Sequence, residues 1–478
     1  MSASASASAS AAADATATNA TKKTINLLRG WPSPALLPAG LLSGAAQRLL
    51  ADPAVYVPAL QYGPDAGYQP LREGLARWLG RHYGVTPDAG RICITGGASQ
   101  SVACVLQSFT DPVATRAVWV VAPCYHLMCP ILEDAGFAGR LRATPEDEEG
   151  MDLDALERKI RDLEEREKDL PPTESFKGDR PGRKLYRHVI YVVATCSNPS
   201  GKTMSLRRRE GLVRLARKYD ALIISDDVYD FLQWPISGAL TPERPPEMRV
   251  PRLCDIDLAM GFEEGDTEGF GNAISNGSFS KIAGPGVRTG WVEASPAFVK
   301  GLSMTGSSRS GGAPSQMSAA ILSDLVHSGE LEKHIETAVR PGLQRRHRIA
   351  MDAIHRYIAP FGALVRESSL LRSHTYGGYF IWLTLDMGIQ TKVIAEAALE
   401  EENLIIGSGD MFEVHGDEAS AKFDSAIRLC FAWEPEEDLV EGIRRLGDLL
   451  HRTQQDKGRY EAQASRREQD KDYVNAIK

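Results

Sequence analysis

The chain has 478 residues, 43% of them hydrophobic and 25% charged, with a net charge of -8. That is the composition of an ordinary globular protein, long enough for two or three domains or one large α/β unit with an appendage. The acidic balance speaks against a nucleic-acid binder, which needs a concentrated basic surface, and no apolar run approaches the ~20 residues of a membrane helix. The seven cysteines at 93, 104, 124, 129, 196, 254 and 430 contain no Cys-x-x-Cys pair, which predicts free thiols in a reducing compartment. The ten histidines show no ligand spacing, so no metal site is expected.

Residues 1–24 open on MSASASASASAAADATATNATKK, a low-complexity stretch expected to be disordered. It lacks the arginines of a transit peptide and the apolar core of a secretory signal, so a cytoplasmic protein is expected. INLLRGWPSPALLP (25–38) then predicts an extended stretch, its prolines and glycine opposing a helix, at the start of an N-terminal arm over 25–50. PLREGLARWLGRHYG (70–84) predicts an amphipathic helix with Pro70 near its start and Gly84 after its end.

RICITGGASQSVACVLQSF then predicts a short strand, a Gly-Gly turn and a helix. AVWVVAPCY, HVIYVVATC and ALIISDD are continuous β-branched runs of the kind covered on both faces. SLRRREGLVRLARKY, ahead of ALIISDD, is a helix with Ser205 as its N-cap. Alternating strands and helices predict a mainly parallel, helix-covered sheet, with functional groups gathered at the strand carboxyl ends. Those ends carry Thr95-Gly96-Gly97, Pro123-Cys124-Tyr125, Ser197-Asn198-Pro199 and Asp226-Asp227.

Two stretches read as insertions: the charge-dense, then Pro/Gly-rich 157–184, and the aperiodic 236–272, expected to be a surface excursion. Beyond residue 300, helical patterns (QMSAAILSDLVHSG, LQRRHRIAMDAIHRYI) precede strand-like GGYFIWLTL and AIRLCFAW. The expected division is a large α/β domain over 51–300, a smaller α+β domain over 301–455 and a polar tail over 456–478.

The chemistry concentrates in GSFSKIAGPGVRTGW, residues 277–291. A lysine that forms a Schiff base must be held at fixed reach of a carbonyl with its pKa lowered. Pyridoxal phosphate also needs a phosphate cradle, a carboxylate at the ring nitrogen, a partner for the ring hydroxyl and an aromatic face. Ser278, Ser280 and Arg288 around Lys281 suit the phosphate, and GGASQ at a strand-to-helix turn adds an anion-binding helix N-terminus. Asp226, ending an apolar strand, can ion-pair with a pyridine nitrogen. Tyr229 and Asn198 can bond the ring hydroxyl, and Tyr125 can stack.

SNPSGK, SDDVYDFL and GSFSKIAGPGVRTGW resemble the fold-type-I pyridoxal-phosphate enzymes, specifically the class I/II aminotransferases, in the correct order over residues 25 to 450. LQYGPDAGYQPLREGLARWL and DDVYDFL are similar to the kynurenine/2-aminoadipate branch. The resemblance implies Lys281 as Schiff-base lysine and proton shuttle and Asp226 as ring-nitrogen partner, with Asn198 and Tyr229 on the ring oxygen and Tyr125 stacked. It implies Ala98, Ser99, Ser278, Ser280 and Arg288 on the phosphate, Arg428 on the substrate α-carboxylate, and Gly30 of the arm in the substrate pocket. Tyr62 resembles a residue that reaches the neighbouring subunit's phosphate, which implies a homodimer with shared sites.

Three departures stand out: Cys196-Ser-Asn-Pro-Ser-Gly replaces the usual Pro-x-Asn-Pro-Thr-Gly, Ala98 stands where a hydroxyl is common, and Arg29-Gly30-Trp31 is bulkier than the family arm. The resemblance implies transfer of an amino group from an aromatic amino acid, kynurenine or 2-aminoadipate to a 2-oxo acid such as 2-oxoglutarate. The alternative on the same scaffold is C–S or C–C cleavage, replacement or bond formation. A regulator that joins a winged-helix DNA-binding domain to this fold is disfavoured, because the 24 residues before INLLRG are too few to encode one.

Overall fold

The computed structural model describes residues 22–169, 174–178, 180–238, 248, 250–312 and 314–466. Its centre is an eight-stranded sheet in the order Ile92–Thr95, Gly290–Glu293, Ala273–Ser278, Ala221–Asp226, His188–Val192, Ala117–Ala122, Leu141–Asp147, Gly150–Met151. The five strands from Ala273–Ser278 to Leu141–Asp147 run parallel, while Gly290–Glu293 is antiparallel to both its neighbours.

The β-branched runs are buried along their whole length because helices cover both faces. Val118, Val120, Val189, Tyr191, Leu222 and Ile224 pack on one face, under the helix Ala98–Phe109. Trp119, Val121, Ile190, Val192 and Ile223 pack on the other, against the helices Leu153–Glu167 and Leu206–Lys218. This strict alternation puts Asp226 on the face of Leu222 and Ile224, and Asp227 on the opposite one. Asp227 is held there by the hydroxyls of Ser225 (2.6 Å) and Ser275 (2.5 Å).

Local chemistry sets the helix ends. Gly84 closes Gln69–Tyr83 in the left-handed region (φ 72), and the Ser205 hydroxyl accepts from the Arg208 N–H to open Leu206–Lys218. A second, antiparallel sheet comprises Leu364–Val365, Phe380–Thr384, Ala426–Cys430 and Gly407–Ser408; the helix Thr391–Glu402 packs on its Gly407–Ser408 strand and on the helix Glu436–Gln455, which packs in turn on Arg340–Tyr357. The arm joins it: Ile25–Asn26 pairs with Leu404–Ile405, and Cys430 N–H donates to Leu27 O (2.7 Å). The arm's next residues therefore lie over the large sheet's carboxyl ends.

Three expectations need correction. Lys22 and Lys23, placed in the disordered start, are ion-paired to Glu402 and Asp438; residues 1–21 lie outside the described residues. The stretch 236–272 is not wholly a surface excursion, because its Leu253–Ala259 forms a helix that buries Leu253, Cys254 and Ile256. Arg252 just before it is buried in ion pairs with Asp255 and Glu293. Within the polar tail Tyr460 is buried, its hydroxyl donating to Glu401 (3.1 Å). All seven cysteines are buried free thiols, and no helix among the described residues is long and apolar enough to cross a membrane.

Candidate functional site

A cavity of about 420 Å³ lies between the carboxyl ends of the parallel strands, the arm and the second sheet. Of the sequence-predicted residues it gathers Lys281, Asp226, Asn198, Tyr229, Tyr125, Ala98, Ser99, Ser278, Ser280, Arg288, Arg428 and Gly30. Tyr62 is elsewhere, 88% exposed beside Gly311.

Lys281 ends the short turn Phe279–Lys281, which follows the strand Ala273–Ser278. Its Nζ donates to Gly30 O (2.7 Å) and lies 5.0 Å from the centre of the Tyr379 ring. Burial lowers its pKa to about 8, against the attraction of Cys430 and Asp226. Asp226 is buried, which raises its carboxyl to about 6 despite the Tyr191 hydroxyl bonded to Oδ2 (2.9 Å) and the nearby lysine. Its other oxygen, Oδ1, is buried with no partner, a costly state for a carboxylate.

Arg428, 2% exposed, extends from the strand Ala426–Cys430. Its Nη1 donates to Asn198 Oδ1 (2.8 Å) and its Nη2 to Leu28 O (2.6 Å). Its guanidinium is sandwiched near Phe380 (4.0 Å) and Phe412 (4.6 Å). Burial lowers its pKa to about 10, so it stays charged at neutral pH, and its Nε is buried without a partner. With Asn198 Oδ1 taken by Arg428, the amide nitrogen is the group that this side chain has left for an acceptor.

At the opposite end, Gly97 caps the helix Ala98–Phe109 at φ 102, a conformation open to glycine. A Cβ there would stand 3.0 Å from Arg288 Nη2. Arg288 itself bonds Gly96 O (3.0 Å) and Pro285 O (2.9 Å). The Ser278 hydroxyl donates to Ser280 Oγ (2.9 Å) and accepts from the Ser280 N–H (3.1 Å). Two hydroxyls, a guanidinium and a helix N-terminus thus converge as an anion cradle.

The arrangement fits pyridoxal phosphate on its own chemistry: the cradle suits a phosphate, the orphaned Asp226 Oδ1 suits a protonated ring nitrogen, and a largely buried amine faces the same space. The unpartnered Arg428 Nε adds a place for a substrate carboxylate. At Cys196, one residue of the altered Asn-Pro motif, the backbone is left-handed (φ 51), and its thiol packs where a Cβ on Gly377 would fall.

Sequence reasoning missed Tyr191, read only as part of a core strand. Its alternation with Val189 puts it on the face of Asp226, and that was the available signal. It also missed Phe380, whose ring would meet a Cβ on Gly30 at 2.6 Å, so the arm glycine is what lets the backbone come this close. His126 in the cavity wall carried no motif; burial lowers its pKa to about 4.

Comparison with known proteins agrees with this geometry. Residues 56–446 match the family model described as aminotransferase class I and II. The aromatic-amino-acid aminotransferase 1 of Thermococcus litoralis is 29% identical over 430 residues, 90% of this chain and 88% of that protein. The crystal structure of a Pyrococcus horikoshii kynurenine aminotransferase superposes with a TM-score of 0.69 at 28% identity, covering 91% of this chain and 93% of that one. The α-aminoadipate aminotransferase LysN of Thermus thermophilus gives 0.67 at 26% identity, over 90% and 92%.

Proposed function

The chain belongs to the class I and II aminotransferases, pyridoxal-phosphate enzymes of fold type I, and on that premise we propose its substrates and the roles of its residues. The donor is an aromatic amino acid, kynurenine or 2-aminoadipate, and the acceptor a 2-oxo acid such as 2-oxoglutarate; the similar proteins named for aromatic, kynurenine and aminoadipate substrates support this reading.

One observation carries the residue roles: a largely buried lysine, a buried carboxylate with an unpartnered oxygen and a buried arginine with an unpartnered Nε face one cavity. When bound, the cofactor supplies an aldehyde that condenses with amines and a pyridinium ring that accepts the electron pair released at the substrate Cα. Asp226 Oδ1 would hold the proton on the ring nitrogen, and Tyr191 fixes the orientation of that carboxylate. The Asn198 amide and the Tyr229 phenol would bond the ring hydroxyl, and Tyr125 would supply an aromatic face for the ring. Ala98, Ser99, Ser278, Ser280 and Arg288 would hold the phosphate.

Lys281 Nζ would bind the aldehyde and, as a free amine, move a proton from the substrate Cα to the carbon that had carried the aldehyde; a pKa near 8 leaves a usable fraction of free amine near neutral pH. Arg428, pinned by Asn198 and Leu28 O, orients the α-carboxylate, and the Phe380 ring and the Gly30 arm keep water off the reacting bond.

The exposed Tyr62 supports a homodimer in which it completes the neighbour's phosphate site. The free buried thiols support a cytoplasmic location. The large domain over 51–300 and the small one over 301–455 remain our division, the cavity lying at their junction.

The deciding experiment incubates the holoenzyme with 2-oxoglutarate and a panel of amino acids and follows glutamate. Glutamate should form with tyrosine, kynurenine or 2-aminoadipate in preference to short aliphatic donors. Release of ammonia and a 2-oxo acid without glutamate would favour cleavage chemistry and overturn the reading.

A further inference from the structure

The bulky arm residues set this chain apart from the small arm of the family it resembles, and they lie at the cavity mouth. We infer that Arg29 receives the distal carboxylate of a dicarboxylic substrate, with Trp31 and Trp433 holding its guanidinium in place; this rests on the cavity being the aminotransferase site.

Elimination leads to Arg29 first. Among the described residues, five basic side chains line the cavity, Arg29, His126, Lys281, Arg288 and Arg428, and one acidic one, Asp226. Lys281 and Arg428 are committed to the reacting centre, and Arg288 to the phosphate cradle. His126 is kept neutral at physiological pH, by burial first and then by the Arg428 charge. The Arg29 guanidinium alone of these cations has neither a hydrogen-bond nor an ion-pair partner among the described residues. Arg309, on the short helix Gly306–Arg309, does not line the cavity.

The backbone then fixes where Arg29 can be. Leu28 O is held by Arg428 and Gly30 O by Lys281, so the peptide before Arg29 and the one after Gly30 are anchored to the two groups assigned to the substrate α-carboxylate and amine. Its own N–H donates to Asn26 Oδ1 (2.9 Å). A side chain rooted there projects beside the reacting centre at arginine's length, suited to a carboxylate several carbons beyond Cα.

The aromatic pair gives the guanidinium its orientation. Trp31 and Trp433 meet edge to face, centroids 5.2 Å apart at 79°. The Arg29 guanidinium carbon lies 4.5 Å from the Trp31 centroid and 5.5 Å from that of Trp433. Stacking occupies the guanidinium face and leaves its in-plane N–H groups free, the edge that forms a bidentate pair with a carboxylate. A two-carboxylate substrate would meet Arg428 with one end and Arg29 with the other. A neutral aromatic substrate would use Arg428 alone.

The test compares wild-type, Arg29→Gln and Arg29→Lys holoenzymes in half-reactions with glutamate and with tyrosine. Arg29→Gln should lower kcat/KM for glutamate by roughly 10–100-fold, chiefly through KM, as expected for a lost charge-assisted pair. Arg29→Lys should recover part of that loss, and the tyrosine half-reaction should change by less than about threefold, a spread within ordinary context effects. Independently of turnover, glutarate should bind the wild type more tightly than pentanoate by cofactor absorbance or calorimetry, and Arg29→Gln should erase the difference. An equal loss on glutamate and tyrosine, no loss on either, or wild-type glutarate binding no tighter than pentanoate would overturn the role of Arg29. A wild-type enzyme inactive with both substrates would instead overturn the functional reading beneath it.

Discussion

The two ends of the cavity are built in different ways. The cofactor end stands on the large sheet: Ala98, Ser99, Asp226, Ser278 and Ser280 lie at the ends of strands buried on both faces or at the helix start beside them. The substrate end is assembled from pieces remote in sequence, the arm at 26–31, Phe380 and Arg428. Its backbone is tied down through two carbonyls, Leu28 O and Gly30 O, held by Arg428 and Lys281. Rigidity at the first end comes from apolar packing, worth roughly 1.5–3 kcal/mol per buried aliphatic side chain. At the second it comes from a few charge-assisted hydrogen bonds. A cofactor site shared by many reactions can sit on the sheet, while selectivity can change at the arm without disturbing the core.

Lys281 joins the two ends, so its removal separates them most sharply. Lys281→Ala should lower kcat by about 10⁴-fold or more, combining loss of a nucleophile with loss of a general base. Cofactor should still bind through the untouched phosphate cradle, measured by equilibrium dialysis. Retention of more than a few per cent of turnover would remove Lys281 from its role.

Asp226→Asn tests the sheet end alone. Loss of a preorganised charge should lower kcat by about 10²–10³-fold while leaving KM for the amino donor nearly unchanged. A larger effect on KM than on kcat would mean that Asp226 serves the substrate end.

The same lysine should burden the fold of the apoprotein. With a folded-state pKa of about 8 against an ordinary 10.5, the native state binds fewer protons than the unfolded chain between those values, so stability rises with pH across that window. Below pH 8 the buried ammonium carries its full penalty, on the order of 3 kcal/mol. Apo Lys281→Met should therefore be more stable than the wild type at pH 7, the gap closing toward pH 10.5 in denaturant titrations. An equal gap at both pH values would place its cause in packing.

These predictions also show what was legible in the sequence. The cofactor end was, because its residues fall in contiguous stretches: Ser278, Ser280, Lys281 and Arg288 within one segment, and Asp226 and Tyr229 at the end of a neighbouring strand. Physical chemistry ties those types to that spacing. The substrate end was only half legible. Leu28 and Gly30 act through carbonyls that every residue has, and Phe380 and Trp433 enter through folding of a distant sheet. The helix Leu253–Ala259, seven residues long, is too short for a period to rise above noise. Tyr460 has no apolar pattern around it, and its burial follows from where the helix Glu436–Gln455 delivers it.

Arg428→Lys weakens the substrate end without emptying it. A point charge replaces a fork that bonds Asn198 and Leu28 O at once. We expect kcat/KM to fall by about 10–100-fold for every amino acid tested, with unchanged cofactor affinity. A loss confined to dicarboxylic substrates would exchange the roles given to Arg428 and Arg29.

The smallest effect tests whether the cofactor end stops at one chain. Tyr62 is exposed and outside the cavity, so a phosphate bond from it has to be made in a second copy. Loss of one hydroxyl should speed cofactor release about fivefold, matching roughly 1 kcal/mol per hydrogen bond. A mixed dimer of Tyr62→Phe and Lys281→Ala chains then decides which copy supplies the phenol. Its one competent site has Lys281 from the Tyr62→Phe chain and, if the bond is made across the interface, an intact Tyr62 from the other. Cofactor retention at that site should return to the wild-type rate; retention as weak as in the Tyr62→Phe homodimer would show that the phenol acts within its own chain or not at all.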